Sequence, residues 1–442
     1  MLRILGEIMT AKIRAEWDKL HRLVIHRPGI EMWFGLLAPY ASLYERAFSQ
    51  YEARSEHEQL EYTLRHEFKI EVLRLKDKIL ELADHKPEVR AQLVKAALDV
   101  MEFVGNREEV ARARKELVDN TDVLDSEHFF NILLLQPNLD LEEGRGARAI
   151  HLNVTERTPL ANLYFMRDQQ VVTDKGIFLS RMSKPQRRKE PQITRFLWES
   201  LGETVVHETQ APGTFEGGDF IPMKDFALVG TGDRSNASAI AQILSHGLGF
   251  DEVGVVHQPN HPLLPGNERD PMVNMHLDTY FNVASSGVVV GSELLLKAAK
   301  VDVYHREGEG KYTKDKSAST TLHDYITGKG FKIINLTTLE QLSYASNFLC
   351  VKDGAILAVE VDRIVKKVLV ELESKAKRNP ARYEALLVQA KKDYQTLKDE
   401  ISFFPNKKEI YQFGIDALPM NLTNLTGGYG GAHCMTAVLN RG

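Results

Sequence analysis

The chain opens with a short mixture of apolar and polar positions, LHRLVIHR at 20–27, closed by Pro28-Gly29, which predicts a first strand ended by a turn. From Tyr40 the spacing changes. Leucines and isoleucines recur every three or four residues among charges through LYERAF (43–48) and EHEQLEYTLRHEFKIEVLRLKDKILELAD (56–84), predicting helix to about residue 83. Pro87 interrupts this pattern, VRAQLVKAALDVMEFV (89–104) predicts a second helix ending at Gly105, and REEVARARKELVDN (107–120) predicts a third. Together they predict a compact helical segment between the first strand and the rest of the chain.

After Gly144 and Gly146 the texture shifts to short apolar runs with turn signals. Strands are predicted at YFMRD (164–168), QVVTDKGIFLS (170–180), TVVHE (204–208), FALVGTG (226–232), EVGVVHQ (252–258), YFNVASSGVVVGS (280–292), VDVYHRE (301–307), KIINL (332–336), FLCVKDGAILAVE (348–360) and DALPMNLT (416–423). Helices at QITRFLWESLG (192–202), NASAIAQILSHG (236–247) and LEQLSYA (339–345) fall between them, so the body is an α/β fold. A second helical insertion at 364–399, rich in Lys, Glu, Leu and Ala and broken at Asn379-Pro380, predicts a helical hairpin projecting from that body.

Composition narrows the function classes. Of 442 residues, 43% are hydrophobic and 26% charged, which is ordinary for a globular protein, and a net charge of -5 gives no footing for nucleic acid. The basic run from Lys184 to Lys189 is short and reads as a solvated face or a local anion site. The N-terminal MLRILGEIMTAKIRAEW carries charges inside its only apolar run and has no cleavage pattern, so no secretory signal is read there. No stretch has the length of a membrane span. Two cysteines, Cys350 and Cys434, make no disulfide scaffold and suit a reducing, cytoplasmic setting.

Four clusters carry candidate chemistry. NLYFMRD (162–168) ends an apolar run on Asp168, and FEGGDF (215–220) sets Glu216 and Asp219 around two glycines. MHLDTYF (275–281) spaces His276 and Asp278 so that both would face one side of a strand. TGGYGGAHCM (426–435) delivers Cys434 on a glycine-rich loop, where close backbone approach lets a thiol meet a bound substrate. A metal site would mix a soft thiolate with hard carboxylates and has no second histidine pair at ligand spacing. A Cys–His hydrolase would leave at least three carboxylates unexplained. A planar cationic substrate accounts for them better, because paired carboxylates hold a guanidinium by bidentate charge-assisted hydrogen bonds. Cys350, among Phe348, Leu349 and Val351, reads as a core residue. His433 adjoins the nucleophile, and strand alternation would turn it to the opposite face, which leaves the general-base role to His276.

In this order NLYFMRD, FEGGD, GDR (232–234), MHLD and the terminal GGAHCM closely resemble arginine deiminases of the guanidino-group modifying superfamily. The likeness runs from LHRLVIHRPG to the C-terminus. It implies a five-bladed, pseudo-fivefold α/β propeller (pentein-type) over 1–442, with an inserted helical bundle at about 75–130; the insertion at 364–399 lies outside the family pattern. Carried over, Cys434 would attack the guanidinium carbon, Asp168 and Asp278 would clamp its nitrogens, and His276 and Glu216 would move protons. Asn162, Arg187 and Arg234 match positions that hold the amino-acid end of the substrate. Tyr429 stands where deiminases of free arginine usually carry an arginine, which removes one cation near the α-carboxylate. The expected activity is hydrolysis of L-arginine to L-citrulline and ammonia without a cofactor, by a homo-oligomer that binds a small guanidine compound, no nucleic acid and no membrane. The alternatives are a deiminase or amidinotransferase for another guanidine compound and a non-catalytic propeller that binds a partner.

Overall fold

The computed structural model describes residues 10–143, 150–157, 159–308 and 310–442. The first nine residues of the N-terminal run and the turn at Gly144 and Gly146 lie outside the described residues. Five mixed sheets share one plan: a central strand pairs antiparallel with an outer strand on one side and parallel, through a helical crossover, with a strand later in the chain on the other. They are centred on Leu20–Ile25, Gly176–Leu179, Phe226–Thr231, Val288–Gly291 and Ala355–Val359. The third extends to five strands through the hairpin Lys300–Gly308 and Lys311–Thr321. In the first, the antiparallel partner is the last strand of the chain, Ala437–Arg441, so the two ends of the described chain meet in one sheet. Central strands such as Val288–Gly291 and Ala355–Val359 are buried along their whole length, as strands covered on both faces must be.

Three stretches differ from the expectation. Glu71–Arg74 sits inside the predicted helix but forms a parallel strand against Leu20–Ile25, with Leu23 opposite Val72. Glu102–Gly105, expected to finish a helix, instead pairs parallel with Pro137–Glu143 in a further sheet completed by Ile150–Arg157. Residues 164–168, expected as a strand, are consecutive turns. Their polar backbone is satisfied within the loop and by the far end of the chain: Phe165 N donates to Asn162 O at 2.9 Å and Arg167 N to Cys434 O at 2.9 Å. The runs at 170–180, 280–292 and 348–360 each resolve into two strands joined by a tight turn.

The helices Val361–Arg378 and Pro380–Glu400 meet at Asn379, and Pro380 opens the second at a position where its missing N–H costs nothing. One face of the pair is buried through Ile364, Val365, Val368, Leu372, Leu386 and Ala390, so the hairpin lies against the body. Lys375 Nζ reaches both oxygens of Asp270 at 2.9 and 2.6 Å, Tyr383 Oη donates to the same carboxylate at 2.7 Å, and Leu339 N donates to Asp393 at 3.0 Å. No described helix is long and apolar enough to cross a membrane.

Candidate active site

In each of the five sheets, the one to three residues ahead of the outer antiparallel strand deliver a polar or nucleophilic side chain to one place. Asp168 precedes Gln170–Thr173, Asp219 precedes Phe220–Pro222, Asp278 precedes Phe281–Ser285, Asn347 precedes Leu349–Lys352 and Cys434 precedes Ala437–Arg441. All eight residues singled out in the sequence converge there and are buried, with Glu216, His276 and Asp278 at 0% exposure. Asn162, Asp168, Arg187, Arg234 and Cys434 line a small, nearly closed pocket together with Leu43, Phe165, Met275 and Tyr429. His276, Glu216 and Asp278 adjoin the lining residues Asp168, Arg234 and Cys434 respectively.

The loop that carries Cys434 is held from several directions. Asn347 Oδ1 accepts from Gly431 N at 2.7 Å and Cys434 N at 3.1 Å. The Glu56 carboxylate accepts from Asn424 N, Asn424 Nδ2 and Leu425 N, and Glu45 N donates to Gly427 O at 2.7 Å. A Cβ on Gly430 would come within 2.8 Å of both Cys434 Cβ and Phe165, which is why this loop needs glycine beside its thiol. Tyr429 takes the left-handed region at φ 75°, costly for a residue with a side chain and sustained by these anchors.

Cys434 Sγ lies 3.6 Å from Asp278 Oδ2, and the same oxygen accepts from His433 Nδ1 at 2.8 Å. Cys434 sits on a turn, where strand alternation does not apply, so His433 and Cys434 meet one carboxylate instead of opposite faces. Burial acts against the Asp278 charge, but the His433 bond and the neighbouring cations hold its carboxyl below the usual range. Burial, then Asp278 and Asp168, push the Cys434 thiol well above its ordinary value, so it rests protonated.

His276 bonds Glu216 Oε2 through Nε2 at 2.9 Å. Burial lowers its affinity for a proton, yet Asp168, Glu216 and Asp219 outweigh that and raise it to about 9, so it rests as imidazolium. Glu216 is kept ionised against its burial by Arg234, whose Nη1 lies 3.5 Å away, and by His276; its other oxygen accepts from Ser183 N at 2.9 Å. Asp168 Oδ2 accepts from Arg187 Nη1 at 2.7 Å, and Arg187 turns Nε and Nη2 to Glu190 at 3.0 and 2.8 Å. Among the buried polar atoms without a hydrogen-bond partner are Asp168 Oδ1, Asp278 Oδ1 and His276 Nδ1. They converge, with His276 Nδ1 3.7 Å from Asp168 Oδ1, and His276 Nδ1 and Asp278 Oδ1 lying 2.8 and 3.1 Å from where a Cβ on Gly218 would stand.

Asp168, Glu216 and His276 are spaced closely enough to hold a metal ion. The charge pattern does not fit one. Two guanidinium groups flank these carboxylates and the imidazole carries its own proton, so a dication would enter a site already neutralised by cations.

A family model for arginine deiminase matches residues 41–441. The chain belongs to the arginine deiminase family. Among relatives, the arginine deiminase of Halobacterium salinarum is 26% identical over 97% of this chain and 96% of its own length. That of Limosilactobacillus reuteri is 27% identical over 46% of this chain and 52% of its own. Among solved structures, a citrulline complex of the Pseudomonas aeruginosa DDAH covers 95% of this chain and 98% of its own, at 13% identity and a TM-score of 0.48. The sequence reading missed Asn347 and turned His433 to the wrong face. Asn347 carries no chemical signature, but it stands two residues ahead of its strand just as Asp168 does.

Proposed function

We propose that this protein hydrolyses L-arginine to L-citrulline and ammonia. The observation that carries the reading is the trio of unpartnered buried atoms beside Cys434: two carboxylate oxygens and an imidazole nitrogen. Leaving buried carboxylate oxygens unbonded is costly, and the N–H groups of a planar guanidinium supply what they lack. In this reading Asp168 and Asp278 hold the guanidinium nitrogens, and Arg187 fixes Asp168 Oδ2 so that Oδ1 stays aimed at the substrate.

The substrate cation also offsets the two aspartates that keep the thiol protonated, which favours the thiolate once arginine is bound. Cys434 Sγ then bonds to the guanidinium carbon and one C–N bond breaks. The nitrogen leaves as ammonia, taking the His276 Nδ1 proton, while the proton released by the thiol passes to solvent and converts ammonia to ammonium. Water adds to the covalent amidino intermediate and gives a proton to the now neutral His276, the C–S bond breaks, and the ureido product departs, its extra proton returning to the Cys434 thiolate. Arg234 and Asn162, on the cavity wall, take the amino-acid end, with Arg187 adding its remaining N–H. A carboxylate-bearing guanidine is favoured over one with a cationic tail, since arginines face that end.

The five sheets with a shared plan support reading the body as a five-bladed propeller, residues 75–130 as an inserted bundle and 364–399 as an inserted hairpin. Two free, buried thiols suit a cytoplasmic setting. The exposed Ile401 at the end of the hairpin, and Tyr411 and Phe413 at the short helix Lys408–Gln412, offer apolar contacts for a homo-oligomer, to be read as mass in solution. Incubation with arginine, agmatine and guanidinoacetate, assayed for ammonia and ureido product, tests the activity. Citrulline from arginine, absent with Cys434→Ala, is expected; agmatine as the preferred substrate would refute the carboxylate argument, and no product from any of the three would refute the reading.

A further inference from the structure

A second cavity, of about 380 Å³, lies between the helix Val361–Arg378 and the loop that carries Arg46. Arg46, Ala47, Lys366, Lys367, Val370 and Glu371 line it. Three cations thus face one concave space. Glu371, the only carboxylate on its wall, lies 3.5 Å from Arg378, and Glu56 near Lys367 spends its oxygens on Asn424 and Leu425. Neither Lys366 nor Lys367 has an ion pair among the described residues. Arg46 Nε is buried without a hydrogen-bond partner. Arg46 pairs through Nη1 with Glu45, whose carboxyl burial pushes up to about 7, so near neutrality that partner balances only part of the guanidinium charge. Like charges left together in this way raise the free energy of the empty cavity, and an anion relieves it.

The cavity adjoins the nucleophile loop. Arg46 Nη2 donates to Thr423 O at 3.0 Å and Thr426 Oγ1 at 3.2 Å, and Glu45 N holds Gly427 O, two residues before Tyr429. Leu43, three residues before Arg46, lines the active-site cavity, so residues 43–47 form a wall between the two spaces.

We propose that this cavity binds a small phosphate-type oxyanion, and that its occupancy adjusts the loop bearing Tyr429 and Cys434. A guanidinium with two ammonium groups suits the tetrahedral oxyanion, and Ala47 and Val370 leave apolar room for a small organic body attached to it. An anion that draws on Arg46 competes with Glu45 and Thr426 for the same donors, and the loop responds.

The test titrates the full-length protein by calorimetry with sodium phosphate and, separately, phenyl phosphate, at constant ionic strength, and repeats both with Lys366→Gln/Lys367→Gln. At least one saturable site is expected, weakened tenfold or more in the double variant. Tighter binding of phenyl phosphate assigns the site to a phosphorylated small molecule, and tighter inorganic phosphate to the free ion. Saturating anion should shift KM for arginine at least threefold in the parent and leave the variant unmoved, while the two share the same constants without anion. Absence of saturable heat, or equal affinity in the variant, overturns the site; binding with an unmoved KM overturns the coupling. The binding arm needs no turnover, so it stands apart from any failure of the deiminase reading.

Discussion

Replacing Glu216 with Gln removes a charge while keeping the shape of the side chain, and the structure states what should follow. Glu216 Oε2 bonds His276 Nε2 at 2.9 Å, within a set of acids that lifts the imidazole from 6.5 to about 9 despite complete burial. At 1.36 kcal/mol per unit, that lift is worth ~3 kcal/mol in favour of imidazolium. Without the Glu216 charge, Asp168 at 3.7 Å and Asp219 remain, and burial acts against them; the variant histidine is expected at or below its ordinary value. A resting imidazolium must protonate the leaving amine, so the parent should hold kcat/KM up to about pH 9 and lose it above. The variant should lose it from about pH 6.5 upward, roughly thirtyfold below the parent at pH 8 and nearing it under pH 6.

Stability follows the same sign. A folded pKa raised above the unfolded one contributes fully below 6.5 and is lost as pH rises through about 9, so the parent's margin over the variant should shrink along that window. The assay is citrulline release against pH, with thermal unfolding at pH 6 and 9 to confirm a folded variant. An unmoved basic limb, or a loss of equal size at every pH, would refute the assignment of His276 as the proton donor.

Asp278→Asn should reduce turnover by several orders of magnitude, since it removes one guanidinium clamp and the partner of His433 together; near-normal kcat would show that the guanidinium is held elsewhere. Asn347→Ala strands the N–H groups of Gly431 and Cys434 and should cost about 2–4 kcal/mol by denaturant unfolding, with a tenfold or greater fall in kcat. Gly218→Ala puts a methyl 2.8 Å from His276 Nδ1 and 2.9 Å from its Cγ, so the buried ring must shift; kcat/KM should drop about a hundredfold in protein shown to be folded, and full activity would place the substrate elsewhere. Tyr429→Arg puts a cation on the pocket wall and should lower KM for arginine with kcat unchanged, measured at pH 7.5; an unchanged KM would show that Arg234 and Asn162 suffice.

The residues that the structure brings together were legible because their types are rare in combination, whereas the elements that carry them were legible only where local spacing decides the outcome. Glu71–Arg74 reads as one more turn of an amphipathic helix, and only a partner 49 positions away, Arg22 opposite Glu71, makes it a strand. The run at 164–168 reads as a strand because it is apolar, but it is apolar since a turn there is enclosed on all sides, with its backbone answered by Cys434 O. His433 was set aside by an alternation rule that holds on strands and fails on the turn it occupies. Asn347 shows what a better reading needs. An asparagine announces nothing by itself, yet Asp168, Asp219, Asp278, Asn347 and Cys434 each stand just ahead of the outer strand of their own sheet. A repeat detected first would have marked all five positions before any of them was weighed for its chemistry, and it explains why a nucleophile near the C-terminus finds partners from four distant stretches: the same backbone corner, built five times, aims each side chain inward.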